Sequence, residues 1–409
     1  MFVVRRRPRQ LYIFVLVFLY CTVCAKRDKQ MKNEDITIAY VADGSSVHTR
    51  RFLSYLANKG FNIHLITYTQ SRIENVKIHN VATARTRIPL RIVQSIRLIR
   101  KIKPDVLHAF YITNNGVVAA LSGFHPLVLS AWGDDIATDP ERSGILKLFI
   151  KLALKVATLV ETTDKLGLER LVELGCDSRK VFVQNMGVDT SLFSPNSKSE
   201  ILRKELGIDD SYSVICARSW KPEYRVDVCI RAMPLVLQRI PNTKFIFLGG
   251  GPLETELKDL AMKLGVSASG LFVGNIPEKD MAKYLSSVDL YVDTVGDTRA
   301  RALELDFRGN ILKARGGGGM GQTTRQAMAC GTPQLLSNHM NVRMAKWFRG
   351  LMYRQMDHRD LAEKIVALLN DKKLRVQIGQ ESRKVALQIC DMNKIMEKWE
   401  AVYHVLAED

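Results

Sequence analysis

Short apolar runs alternate with amphipathic stretches along most of this chain, and that alternation constrains the fold more than any other feature. Residues 36–41 (ITIAYV) run into a polar turn at Asp43, Gly44, Ser45 and Ser46, a helical pattern covers residues 49–59, and residues 62–68 (NIHLITY) form a second apolar run. Strand, helix and strand joined by short connections demand a right-handed crossover in a parallel sheet. Residues 106–108, 127–130 and 180–184 repeat the strand signal. Between residues 195 and 213 the composition turns polar. The alternation then restarts at 213–217 (SVICA), 244–248 (KFIFL), 271–273 and 289–292, with helical patterns at 226–239 and 254–264. A length of 409 residues suits two domains. The expectation is an α/β protein of two doubly wound halves, with a cleft between them and ligands at the carboxyl ends of the strands. The domains are expected over residues 31–195 and 196–390, preceded by an extension at 1–30 and followed by a helix at 391–409 that packs back onto the first domain.

Residues 316–333 begin with four consecutive glycines, followed by Met320, Gly321, Gln322 and Thr323 at the opening of a helical stretch. Such a loop bares backbone N–H groups at a helix N-terminus, where the dipole favours an anion such as a diphosphate. A glycine-rich surface turn accounts for the run equally well on composition alone. Ahead of it, residues 298–315 (TRARALELDFRGNILKAR) form a charged insertion that reads as a flap or a solvated loop.

The formal net charge is +18, of which the first thirty residues, with seven Lys or Arg against one Asp, supply +6. A body this basic suits anionic partners. No aromatic-interleaved basic motif or zinc-finger spacing accompanies the charge, so no nucleic-acid partner is expected. Arg85, Arg87, Arg91, Arg97, Arg100, Lys101 and Lys103 occur with no acid between Glu74 and Asp105, while Ile92, Ile96 and Ile99 share a helical face. Residues 147–156 (KLFIKLALKV) add a second apolar, lysine-flanked stretch. Both suit peripheral contact with an anionic membrane, or ordinary packed helices with solvated basic faces. The cysteines, Cys21, Cys24, Cys176, Cys216, Cys229, Cys330 and Cys390, are odd in number and scattered, and read as reduced core residues. There is no H-E-x-x-H and no D-x-D at a strand end, so no metal site is expected. A dehydrogenase would need G-x-G-x-x-G after the first strand, which IAYVADGSSVHTRR lacks.

The run Gln326-Ala327-Met328-Ala329-Cys330-Gly331-Thr332-Pro333 resembles the E-A-M-A-x-G-x-P signature of family 4 (group 1) retaining glycosyltransferases, which have the GT-B fold. Residues 180–195 (KVFVQNMGVDTSLFSP) resemble the family's G-V-D-x-x-x-F-x-P passage, and residues 248–257 (LGGGPLETEL) resemble its G-x-G-P turn. Phe272-Val273-Gly274 with residues 284–291 resembles its F-x-G…Y…A-D segment. These ordered matches cover nearly everything from residue 36 onward. The resemblance implies two Rossmann-like domains facing across a cleft, the first on the acceptor side and the second binding the donor. It implies transfer of a hexose, with retention, from a nucleotide-diphosphate sugar to a lipid-linked or polysaccharide acceptor, with no metal or other cofactor.

The resemblance also implies roles for individual residues. Arg218, with Lys221 or Arg225 in place of a family lysine that falls near Tyr224, would grip the donor diphosphate. Gly319, Met320, Gly321, Gln322 and Thr323 would cradle it, Gln326 would meet the ribose, and the loop of Gly44, Ser45 and Ser46 would face the donor. On the first domain Trp132 stands where many members carry a histidine close to the sugar, and His48 follows the donor-facing loop. Asp134 or Asp135 would bond sugar or acceptor hydroxyls, or cap the next helix. Asp134 joins Arg218 and Lys221 as candidate catalytic residues, while His108 reads as a buried structural histidine. The family's two glutamates fall at Gly318 and Gln326, and neither is acidic here. The alternative is therefore a catalytically inactive transferase-like protein that binds sugar nucleotide, membrane or both.

Residues 1–30 combine a basic head (Arg5, Arg6, Arg7, Arg9), an apolar run at 11–25 and a basic flank. They read as a membrane anchor, or as an upstream extension before a true start at Met31. A cleaved signal ranks below both, since a sugar-nucleotide donor is cytosolic. A cytoplasmic, membrane-associated protein is expected.

Overall fold

The computed structural model describes residues 31–82, 88–294, 304–305, 311–312, 321–338 and 351–408. The N-terminal extension, with its anchor reading, and the glycine run through Met320 lie outside the described residues, as does most of the charged insertion. Two compact units emerge: Met1–Met186 with Lys394–Asp409, and Gly187–Asn393.

The first unit is built on strands β1 (Thr37–Val41), β2 (Asn62–Thr67), β3 (Val76–Asn80), β4 (Val106–Phe110), β5 (Leu127–Ala131), β6 (Leu159–Thr162) and β7 (Val181–Val183). All neighbours are parallel, in the order β3-β2-β1-β4-β5-β6-β7. Side chains alternate between two covered faces, as a parallel sheet requires. Ala39, Val41, Leu107, Ala109 and Leu129 enter one core together with Ile99 and Ile150 from helices α2 (Ile88–Ile102) and α3 (Gly144–Val156). On the opposite face Tyr40, His108 and Phe110 meet Phe52 of helix α1 (Val47–Asn58), and His108 also meets Trp399 and Tyr403 of the C-terminal helix (Met392–Glu408). Edge strand β3 (VKIHN) is half-exposed and polar, so it carries no apolar signal of its own.

The second unit has β8 (Tyr212–Ala217), β9 (Thr243–Leu248), β10 (Gly270–Gly274) and β11 (Leu290–Asp293). A short antiparallel pair follows, β12 (Glu304–Leu305) with β13 (Ile311–Leu312), and then β14 (Gln334–Ser337) and β15 (Leu351–Tyr353). The main sheet is parallel in the order β10-β9-β8-β11-β14-β15. Within β8, Val214 and Cys216 face one core while Ile215 and Ala217 face the other. Helices α4 (Val226–Arg239), α5 (Glu254–Lys263), α6 (Glu278–Ser286), α7 (Gln322–Ala329), α8 (His358–Asn370) and α9 (Lys372–Ile389) complete the unit.

The chain enters the second unit at Gly187, ahead of the polar stretch that marks the boundary in the sequence. Phe193 is fully buried in a second-unit core, the Val188 N–H donates to the Cys390 carbonyl at 2.7 Å, and Arg383 donates to the Phe193 carbonyl at 2.6 Å. These bonds tie residues 187–194 down before composition shows any change. The described cysteines, Cys176, Cys216, Cys229, Cys330 and Cys390, are buried and free of disulfides.

Candidate functional site

Each sheet reverses its strand order beside its first strand, between β1 and β4 in one unit and between β8 and β11 in the other. Crossovers leave such a point toward opposite faces, which opens a crevice at the carboxyl ends of the two strands.

In the second unit that crevice holds Arg218, the residue after β8, and Asp293, the last residue of β11. Arg218 Nε donates to Asp293 Oδ1 at 3.1 Å, and its Nη2 donates to Oδ2. The arginine side chain is 10% exposed and the aspartate 0%. Burial works against the guanidinium charge, but the Asp293 carboxylate together with Tyr291 and Tyr224 outweighs it and raises the pKa above the usual arginine value. Thr324 donates to Asp293 Oδ2 at 2.7 Å, and Tyr353 donates to the Asp293 carbonyl at 3.2 Å. The Arg218 guanidinium also lies over the Tyr224 ring, 5.6 Å from its centroid.

Gly321 caps the N-terminus of α7, and a Cβ placed on it would lie 2.3 Å from Arg218 Nη1. The absent side chain lets a cation reach the helix N-terminus, where anions bind. Gly249, at φ +133°, does similar work behind it: a Cβ there would lie 2.0 Å from the Arg218 carbonyl oxygen. Loops after β8 and β9 therefore interlock, with the Trp220 N–H donating to the Gly250 carbonyl at 2.9 Å. Arg225 adopts a left-handed backbone at φ 48°, stabilised by two hydrogen bonds to Asp227 at 2.9 and 2.8 Å. It is thus committed locally, whereas Lys221 is exposed on the same loop.

The structure brings Arg218, Gly321, Gln322, Thr323 and Gln326 to one edge, and places Gly319 and Met320 outside the described residues. Gln322 Nε2 donates to the Gly187 carbonyl at 2.6 Å. Gln326 is 5% exposed, and its Nε2 donates to Glu278 Oε1 at 3.4 Å. Asp293, Thr324 and Glu278 were not among the residues singled out from sequence. Asp293 leaves a faint trace, a lone acid closing an apolar strand, while Glu278 leaves none.

In the first unit the turn after β1 is tied by its own amides, and the expectation for Asp135 is corrected. The Gly44 N–H donates to Thr67 Oγ1 at 3.0 Å and the Ser45 N–H to Asp43 Oδ1 at 2.9 Å, while the Ser46 N–H donates to the Asp43 carbonyl at 3.3 Å. These amides hold their own loop together, so none is left to cradle a phosphate. Asp135 is fully buried and accepts from the amides of Ile112, Trp132 and Gly133 at 2.9, 3.1 and 2.9 Å. Its carboxylate fastens the loop after β5 and has no face toward a sugar. Burial raises its pKa to about 7, against the lowering effect of those amides. For Asp134 the helical backbone is described, Asp134–Ala137, and not the side chain.

Trp132 is half-buried, its ring 4.5 Å from Phe110 and 6.1 Å, edge-on, from His48. Its Nε1 donates to Glu161 Oε2 at 3.3 Å, and burial raises the Glu161 pKa to about 8. Burial, with Arg51 nearby, lowers the His48 pKa to about 4, so this imidazole is neutral at neutral pH. His108 is fully buried, with Nδ1 at 2.7 Å from Tyr403 Oη and Nε2 at 2.8 Å from Ser130 Oγ. Among the described residues no group of three or more His, Cys, Asp or Glu is placed to hold a metal ion.

Residues 37–164 match the glycosyl transferase 4-like family, and residues 198–385 match the glycosyl transferases group 1 family. A GDP-mannose-dependent alpha-(1-6)-phosphatidylinositol monomannoside mannosyltransferase of Mycolicibacterium smegmatis is 30% identical over 148 residues, covering 36% of this chain and 35% of that protein. A GDP-mannose-dependent monoacylated alpha-(1-6)-phosphatidylinositol monomannoside mannosyltransferase of Corynebacterium glutamicum is 28% identical over 201 residues, covering 48% and 49%. The chain thus aligns with half or less of these relatives' length. The crystal structure of Anabaena HepE in complex with UDP superposes with a TM-score of 0.71 at 17% identity, over 90% of this chain and 99% of that one. Two family matches in chain order, one on each doubly wound unit, together with this fold, identify the chain as a member of the group 1 glycosyltransferases with the GT-B fold.

Proposed function

We propose that this protein moves a hexose from a nucleotide-diphosphate donor to a lipid-linked or polysaccharide acceptor, with retention of configuration and without a metal. The observation that carries the reading is the Arg218 guanidinium held at the N-terminus of α7, at the switch point of the second sheet. Fixed donors there meet the negative charge that develops on a leaving diphosphate, at no cost of reorganisation. Lys221, exposed on the same loop, adds charge. In the first unit the Trp132 and His48 rings offer an uncharged wall suited to a sugar face. The relatives named for GDP-mannose and phosphatidylinositol mannosides support a mannosyl donor and a lipid-linked acceptor as the first substrates to try.

Peripheral contact with an anionic membrane, on the cytoplasmic side, belongs to the same proposal. On α3, Ile145 is 71% exposed, Leu148 56% and Leu152 47%, and Lys147, Lys151 and Lys155 alternate with them. An apolar stripe among lysines suits the interface of an anionic bilayer. Among the described residues no helix is long and apolar enough to cross a membrane.

Full-length protein with GDP-mannose or UDP-glucose and a lipid extract should release nucleoside diphosphate and place labelled sugar in the lipid fraction. Absence of both binding and turnover with every GDP- and UDP-sugar tried would sink the reading. The neutral Gln326 and the countercharge on Arg218 favour one second reading, a binding protein without activity. It predicts nucleotide binding with no turnover.

A further inference from the structure

The carboxyl edge of the second sheet carries an acid that no motif marks. Glu278 opens α6, directly after the loop that leaves β10, and the Gly250 backbone packs so closely on Asn275 of that loop that a Cβ would lie 2.6 Å from Asn275 Nδ2. Loops after β9 and β10 therefore form one surface. Across it the buried Gln326 donates from Nε2 to Glu278 Oε1 at 3.4 Å.

Gln326 sits four to five residues into α7 from the Gly321 cap, a rise of roughly 6 to 7 Å along the helix. The ribose of a nucleotide whose diphosphate rests at that helix N-terminus lies a comparable span away. A ribose presents two neighbouring O–H donors and needs acceptors. A carboxylate offers two oxygens with about four lone-pair sites, whereas an amide offers one oxygen and spends its nitrogen as a donor. With Gln326 neutral and its nitrogen turned toward Glu278, the negative charge of this pair sits on Glu278. The N-terminal end of α6 favours an ionised acid at its first residue.

We propose that Glu278 accepts the ribose hydroxyls of the donor nucleotide, with Gln326 as the positioning residue that orients its carboxylate; this rests on the donor reading above. Charge-assisted hydrogen bonds lost to an analogue without the hydroxyls are worth about tenfold or more in affinity.

Calorimetric titration of the full-length protein with GDP, UDP and their 2′,3′-dideoxy counterparts tests this. The wild type should prefer the ribonucleotide by about tenfold or more. Glu278→Gln should bring that preference close to unity while leaving dideoxynucleotide affinity unchanged, and Glu278→Gln/Gln326→Glu should restore most of it by moving the charge across the pair. Full preference retained by Glu278→Gln, or a wild type that binds both sugars equally, overturns the assignment while the donor reading stands. A wild type that binds no ribonucleoside diphosphate overturns both.

Discussion

At the ends of β8 and β11 a buried guanidinium and carboxylate meet beside a helix N-terminus, and the charge of the edge is concentrated there. At the end of β1 the backbone amides close onto Thr67 and Asp43, and after β4 the Ile112 amide closes onto Asp135. Asp135 fastens the loop after β5, leaving aromatic rings at that edge. The two crevices share a topology and differ in where the polar groups are spent. A parallel sheet with a switch point supplies a concave edge, and the residues ending its strands decide whether that edge carries an ion pair or aromatic rings.

The sharpest test of this contrast is Arg218→Ala. It strips the countercharge from a fully buried Asp293, so urea denaturation should register a loss of about 3–5 kcal/mol. Replacing both partners with apolar residues should recover most of it, and a loss below about 1 kcal/mol for the single change would break the contrast. Gly321→Ala comes next. The new methyl would displace the guanidinium tip, so nucleoside diphosphate affinity measured by calorimetry should fall about tenfold, with a stability loss of about 1 kcal/mol.

The first unit should answer to pH instead. The folded pKa of Glu161 is raised from 4.5 to about 8, so its contribution to stability is complete below 4.5 and is lost as pH rises through about 8. His48 has the opposite sign: its folded pKa is lowered from 6.5 to about 4, so its contribution is present above 6.5 and lost as pH falls through about 4. Unfolding free energy followed from pH 5 to 8 should therefore fall less steeply in Glu161→Gln than in the wild type; identical slopes would remove Glu161 from the account. The smallest effect is expected from Leu148→Ser with Leu152→Ser on α3. Stability should stay within about 0.5 kcal/mol, while sedimentation with anionic vesicles drops. Undiminished sedimentation would take α3 out of the membrane contact.

Much of the architecture was legible because its signals are local. Runs such as SVICA and KFIFL are buried on both faces and announce central strands on their own, and residues 226–239 form the helix that their periodicity predicts. Edge strand β3, the four-residue β6 and β14, whose Gln334 is fully buried, were not legible. Their place depends on neighbours that pair with them. Motif resemblance at Arg218, Gly321 and Gln326 pointed to residues that the fold gathers at one edge of the second sheet. The internal commitments of Gly44, Ser45 and Asp135 were not legible, since a Gly-Ser turn or a strand-end acid looks the same whether its groups bind a ligand or each other.

The sequence by itself determined the alternation of strand and helix, the two-unit plan and the family, because hydrophobic period and motif spacing are properties of neighbouring residues. Only the tertiary structure decided that Arg218 is answered by Asp293, 75 residues away in the chain, that Gln326 faces Glu278, and that Tyr403 of the last helix donates to or accepts from His108. The first pairing follows from strand order, and the other two from the packing of helices on and beside the sheets. A parallel sheet sets residues from distant segments side by side, and at that range the electrostatic partner of a buried group is fixed by topology and leaves no mark in local sequence.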